Sequence, residues 1–276
     1  MPELSPALLA VVIAAGAAAG GLGSMLGLGG GVILVPFLNA ALGFPLNIAS
    51  GVGLMTVIAT SSVVARGATG SGLVNLRLGM VLQIAAASGA YFGGTLARRI
   101  PEHVLELVFS AVTAGIAGIM LSRLERRNVL LDSTLSPGRF GGRYFDEESG
   151  GAIVYQTRRM PLALGVSLAA GSISGLLGIG GGILQVPALN AWCGVPLRAA
   201  AATSAVMIGI TAAASAPLYY ARGDIILPLA AAAVLGTFGG SRAGIWFGER
   251  ARAKWLKVLM AGVLTFVSVT YLAGAL

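Results

Sequence analysis

Charge is what this chain mostly lacks. No Asp, Glu, Lys or Arg lies between Glu3 and Arg66, a gap of 62 positions. One lipid span needs about 20 apolar residues, so that gap holds about three segments. A cleaved leader accounts for the first segment only, and the stretch has no basic n-region. Charged residues make up 10% of the chain and hydrophobic ones 56%, with mean hydropathy +0.88. The chain reads as an integral membrane protein. Cys193 is the only cysteine, which excludes an intrachain disulfide. His103 is the only histidine, so no His/Cys metal cluster can form around it. None of the ten carboxylates falls deep in an apolar segment. That argues against a proton relay through a midplane acid. No nucleophile–base pair lies in the apolar segments either, so an enzyme is not expected. No cofactor is expected. The net charge of +8 sits at segment ends and in one central loop. Membrane topology requires that placement, and it argues against nucleic acid.

What is present is one stretch, twice. Gly20–Ala49 and Gly171–Ala200 align without a gap at an offset of 151 and agree at 15 of 30 positions. This is an internal duplication. In each copy an apolar helix meets a glycine cluster, Gly27-Leu-Gly-Gly-Gly31 or Gly178-Ile-Gly-Gly-Gly182. A short apolar run follows, Val32–Leu42 or Ile183–Cys193, then a Gly-x-Pro stop at Gly43 and Pro45 or Gly194 and Pro196. Eleven helical residues span roughly 16 Å, about half a hydrocarbon core. Paired broken or re-entrant elements of this kind point to a transporter's binding site.

The predicted fold is all-α and polytopic. Full spans are expected at Ser5–Leu26, Asn47–Ala65, Leu78–Ala97 and Val104–Ser122, then at Pro161–Leu177, Leu197–Tyr220, Asp224–Phe247 and Lys254–Ala273. Two repeats of four spans and one short element, 1–122 and 161–276, flank a soluble linker, 123–160. Within the linker, Ser136–Thr157 alternates as a small hairpin does. The hydroxyls Ser50, Thr56, Thr60, Ser61 and Ser62 either line a path or bond between and within helices. Basic residues bracket the last connection and fill the linker, which puts both in the cytoplasm. Both hold only if each half crosses an odd number of times, giving inverted repeats. If the short element merely re-enters, the repeats are parallel.

The first N–H groups of a helix lack internal partners, and the dipole adds about half a positive charge there. Gly29, Gly30, Gly31, Gly180, Gly181 and Gly182 stand where the short helices begin. Two such ends meeting make a seat for a small oxyanion. Asn39 and Asn190 match across the repeat and either cap a neighbour or touch substrate. Gln185, Thr203 and Ser204 replace Leu34, Val52 and Gly53, so the second half is the more polar.

The duplicated motif G-(I/L)-G-G-G-x-(I/L)-x-V-P-x-L-N, followed by G-(F/V)-P-L and an Ala-rich helix, resembles the TauE/SafE family of sulfite exporters and anion permeases. The resemblance implies a bacterial inner-membrane permease for sulfite, sulfonates or related organosulfur anions. A Thr-Ser pair common in that family is matched by Thr203 and Ser204, while the first half has Val52 and Gly53. The expected partners are the anion, membrane lipid, and a coupling ion or a homo-oligomer. A passive anion channel and a non-transport assembly factor are the alternatives.

Overall fold

The computed structural model describes residues 5–67, 72–122, 136–146 and 151–275. Helix α1 is Pro6–Leu26. Ser5 starts it, its side chain accepting from the Leu8 N–H, and Pro6 fills the first turn, where its missing N–H costs nothing. Gly27 ends it at φ 70°, a conformation that favours glycine. Short helix α2 runs Gly31–Pro36 and widens into a π-turn over Phe37–Ala41. Pro36 lies at the switch, where it removes a helical N–H. Then come α3 (Leu46–Gly67), α4 (Leu76–Leu96), a 3-10 turn (Ala97–Arg99) and α5 (Glu102–Ser122). The second half holds α6 (Met160–Leu177), short helix α7 (Gly182–Ala191), α8 (Leu197–Ala221), α9 (Leu227–Arg250) and α10 (Ala253–Ala275).

Most boundaries fall close to those expected. The largest shift is at α9, which begins at Leu227 and leaves Asp224 in the preceding turn, its N–H bonded to Tyr219 O at 3.0 Å. Both short helices stand apart from the long ones on either side. Among the described residues, four helices are long and apolar enough to cross a membrane: Pro6–Leu26, Leu46–Arg66, Met160–Leu177 and Leu197–Ala221. Large apolar side chains cover the outside of the bundle, among them Ile84 and Phe92 of α4, Leu235 of α9 and Phe266 of α10.

The packing crosses between the halves. Helix α1 lies along α9, and α4 along α6. A Cβ at Gly16, Gly20, Gly236 or Gly240 would strike the backbone of the facing helix, and so would one at Gly89, Gly93, Gly171 or Gly175. These glycines let the helix axes approach closely. The Thr237 and Ser241 hydroxyls then reach across to Gly16 O and Gly20 O, both at 3.2 Å. Contacts climb together along each pair, Ile13 with Gly236 and Gly21 with Gly244, Ala86 with Gly171 and Ala90 with Gly175, so both pairs are parallel. Helices α3 and α8 form the buried centre and run antiparallel. Gly51 abuts Asp224 at one end, and Ser61 donates to Val206 O at 3.1 Å near the other.

The hairpin forms. Strand β1 (Gly142–Asp146) pairs antiparallel with β2 (Gly151–Tyr155), Gly142 opposite Tyr155. Ile153 and Tyr155 are buried. Asn75 Nδ2 donates to Phe140 O at 2.8 Å and to Tyr155 Oη at 3.3 Å, and Arg158 N–H donates to Cys193 O at 2.9 Å. The hairpin is thereby fastened to the α3–α4 loop and to the turn after α7. Burial pushes the Tyr155 phenol pKa up, with the Asn75 bond opposing. The remainder of the linker, including Glu125, Arg126, Arg127, Asp132, Glu147 and Glu148, lies outside the described residues, as does Glu3.

Candidate functional site

Each glycine cluster folds into a hook between a long helix and a short one. In the first, the N–H groups of Gly27, Leu28 and Gly29 converge on Gly23 O. In the second, Gly178 N–H donates to Ser174 O at 2.9 Å. Gly29 and Gly180 turn the chain at φ 80° and 81°, where a side chain would be strained. Gly30 O then accepts from Ile33 and Leu34 N–H, and Gly181 O from Leu184 and Gln185 N–H, which opens each short helix.

The hooks meet. A Cβ on Gly31 would come within 3.0 Å of Gly178 O, and one on Gly182 would strike Gly27 O. Gly29 and Gly180 both abut Val57. Val57 and Ile208 occupy equivalent positions on α3 and α8 and are fully buried between the hooks. Gly29, Gly31, Gly180 and Gly182 thus meet at one centre, while Gly30 lies against Thr60 and Gly181 against Ala170. Beside the second hook, the Ser204 hydroxyl donates to Gln185 Oε1 at 3.3 Å.

Three expected residues have other duties. Thr203 Oγ1 accepts from Asn75 N–H at 3.0 Å, which holds the start of α4. Asn39 Nδ2 donates to Phe44 O and Asn190 Nδ2 to Val195 O, both at 3.0 Å. Both asparagines close the turn after their short helix, roughly 12 Å along it from the hook. The hydroxyls of Thr56, Thr60 and Ser62 donate to carbonyls of their own helix. Ser50 and Ser61 reach Leu177 O and Val206 O instead. Sequence reasoning missed Ser174, fully buried one turn before the second hook. Its signal was available, since the repeat pairs it with Gly23.

Two cavities sit at opposite ends of the α3–α8 pair. The larger, about 340 Å³, is lined by Leu46, Asn47, Ser50, Leu105, Leu176, Tyr219, Arg222 and Asp224. Asn47 Nδ2 donates to Asp224 Oδ1 across it. The smaller, about 90 Å³, is lined by Met25, Leu26, Val64, Leu73, Leu197, Arg198, Ala201 and Leu256 among others. The offset of 151 carries Leu46, Asn47, Ser50 and Leu105 onto Leu197, Arg198, Ala201 and Leu256, so the two cavities are counterparts. Each stops one layer short of a hook. Ser50 Oγ donates to Leu177 O at 2.8 Å below Gly178, and Gly27 packs on the Ala201 backbone.

Lipid-length helices around a buried seam of glycine and hydroxyl groups define a multi-pass membrane protein. The family model described as "Sulfite exporter TauE/SafE" matches residues 12–271, and the chain belongs to that family. It is 23% identical over 264 residues to the "Probable membrane transporter protein YunE" of Bacillus subtilis, covering 93% of this chain and 94% of that one. It is 25% identical over 271 residues to the "Probable membrane transporter protein MJ0441" of Methanocaldococcus jannaschii, covering 93% and 92%. No solved structure matches the chain.

Proposed function

We propose that the protein is a secondary transporter that moves a small sulfur-containing oxyanion, such as sulfite or a sulfonate, across the bacterial inner membrane. The observation that carries this reading is the meeting of two glycine hooks between the short helices and Val57. Glycine puts no Cβ between a ligand and the backbone N–H groups that begin each short helix. The dipole of each short helix puts its positive end there. An oxyanion is stabilised by such a site without a fixed cation. The family's description supplies the sulfur oxyanion.

The repeats, 1–122 and 161–276, are read as inverted. Equivalent helices α3 and α8 run antiparallel, which two copies in the same orientation cannot do. Parallel pairing of α1 with α9 agrees, since α9 returns along α8 and therefore runs with α3. On this reading each half crosses the membrane four times with full spans, and the short helix completes a fifth crossing. The hairpin end carries Arg66, Arg77, Arg139, Arg143, Arg158 and Arg159, with Arg250, Arg252 and Lys254 in the connection bonded to Arg198. The positive-inside rule makes that end cytoplasmic, with the linker, and places the larger cavity, the start of α1 and the end of α10 outside. The two cavities are then the two access paths. The hooks and the Val57–Ile208 layer separate them.

Purified protein in liposomes is expected to take up labelled sulfite with saturation and counterflow, ahead of sulfate, thiosulfate, taurine, sulfoacetate and acetate. Flux that neither saturates nor shows counterflow makes the protein a channel. No flux from a folded, reconstituted sample removes the transport reading.

A further inference from the structure

Two buried polar atoms near the second hook have no hydrogen-bond partner among the described residues. They are Gln185 Nε2 and Ser174 Oγ, on residues 1% and 0% exposed. A buried amide or hydroxyl left unpaired is destabilising, and in most proteins such groups are satisfied. Gln185 lies in the first turns of the ten-residue helix α7. Helical side chains lean toward the N-terminus, which carries its amide back toward Gly181 and Gly182. Its Oε1 is already occupied by the Ser204 hydroxyl, so the free end is the donor. Ser174 stands one turn before Gly178 and receives that residue's N–H on its carbonyl. At the first hook the residues equivalent to these two are Leu34 and Gly23.

The cavities point the same way. The one beneath the second hook is the larger and has Asn47, Ser50, Tyr219, Arg222 and Asp224 in its wall. At about 340 Å³ it lies within the range of ligand pockets, roughly 300–1,000 Å³. The cavity beneath the first hook is about 90 Å³ and largely apolar, with Arg198 tied to Ala251 O at 2.7 Å. We infer that the two hooks are not equal. The oxyanion is seated at the second one alone, on the N-terminus of α7, with Gln185 Nε2 and Ser174 Oγ as its side-chain donors. The anion reaches that seat from the Asp224 end. The first hook is a packing copy. This rests on the hook reading of the proposed function and narrows it to one hook.

Two glycines make a matched pair for the test. A Cβ at Gly30 comes no closer than 3.3 Å to Thr60 Oγ1, and one at Gly181 no closer than 3.2 Å to Ala170 O, at ordinary φ values of −65° and −72°. Alanine therefore strains the two hooks about equally. Isothermal titration of purified protein with sulfite and with methanesulfonate reads the outcome. Gly181→Ala is expected to weaken binding at least tenfold and Gly30→Ala to leave it within about twofold. Gln185→Leu, which copies the first hook, should weaken it about ten- to hundredfold, as for loss of a hydrogen bond to a charged group. Ser174→Ala serves as the second donor variant and removes no packing beyond a hydroxyl. Equal losses in the two alanine variants overturn the one-hook seat while keeping the hooks. Normal affinity in both overturns the hook reading itself. Normal affinity in Gln185→Leu and Ser174→Ala overturns the donor assignment, and absence of binding to the wild-type protein overturns the ligand class.

Discussion

The first hook closes among Gly23, Leu34 and Gly53, and the second among Ser174, Gln185 and Ser204. Their backbones are alike. Both end a long helix on a left-handed glycine, both turn again two residues later, and both press on Val57. The side chains differ, and so do the cavities beneath. Duplication needs only that both copies keep the glycines, because those set the chain path. Polar atoms are retained in lipid only where something stabilises them. One copy has them and the other does not. The comparison separates the glycines that set the chain path, which are symmetric, from the buried polar side chains beside them, which are not.

The largest expected effect tests the symmetric part. Gly89→Val and Gly240→Val each drive a side chain into a facing backbone, at Leu168 and Ala17 respectively. Overpacking costs about 1–3 kcal/mol where side chains can move, and more where backbone is struck. Both variants should lose the monodisperse peak in size-exclusion chromatography. A stable protein from either one breaks the equivalence of the two crossings.

The next effect tests the asymmetric part. Ser204→Gly copies the first half and removes the hydroxyl that orients Gln185. Anion affinity should fall by about 0.5–1.5 kcal/mol, read by titration. The reverse change, Gly53→Ser, meets Val35 and Gly178 O. It should lower the melting temperature and add no affinity. A gain of affinity there would show that the first hook also binds.

Asp224 sharpens the comparison of the cavities. Its counterpart is Leu73, and its carboxylate is bonded to Asn47. Asp224→Asn keeps an oxygen that can accept from Asn47 and should leave sulfite uptake within about tenfold at pH 7. Abolished uptake by a folded variant means that this carboxylate carries the coupling, against the view that no acid does.

The smallest effect falls where the halves agree again. Asn39→Ala and Asn190→Ala each remove one turn-closing bond. Each should lower stability by about 0.5–1.5 kcal/mol by thermal melting, with affinity unchanged. Asn190, the more buried, should lose more. A selective loss of affinity in Asn190→Ala would return that residue to the anion's seat.

Much of the architecture was legible as residues. Sixty-two positions without charge require lipid, since nothing soluble of that composition keeps its surface wet. Glycine clusters followed by Gly-x-Pro stops mark the ends of the short helices, because glycine takes φ near +70° without the strain a side chain brings and proline cannot donate. Alternation within Ser136–Thr157 marks the hairpin, whose strands are Gly142–Asp146 and Gly151–Tyr155. Tertiary structure decided the rest. Glycine spacing in α1 says that a helix comes close, and only the fold says that the helix is α9. A helix apolar on every face carries no periodic signal for its partner or its direction. The duties of the polar residues were equally hidden. Thr203 and Ser204 are sequence neighbours, yet helical geometry turns one to the α4 cap and the other to Gln185. Ser174 and Gln185 lie near the same hook because α6 and α7 fold back there, and no sequence pattern measures whether a buried polar atom has a partner.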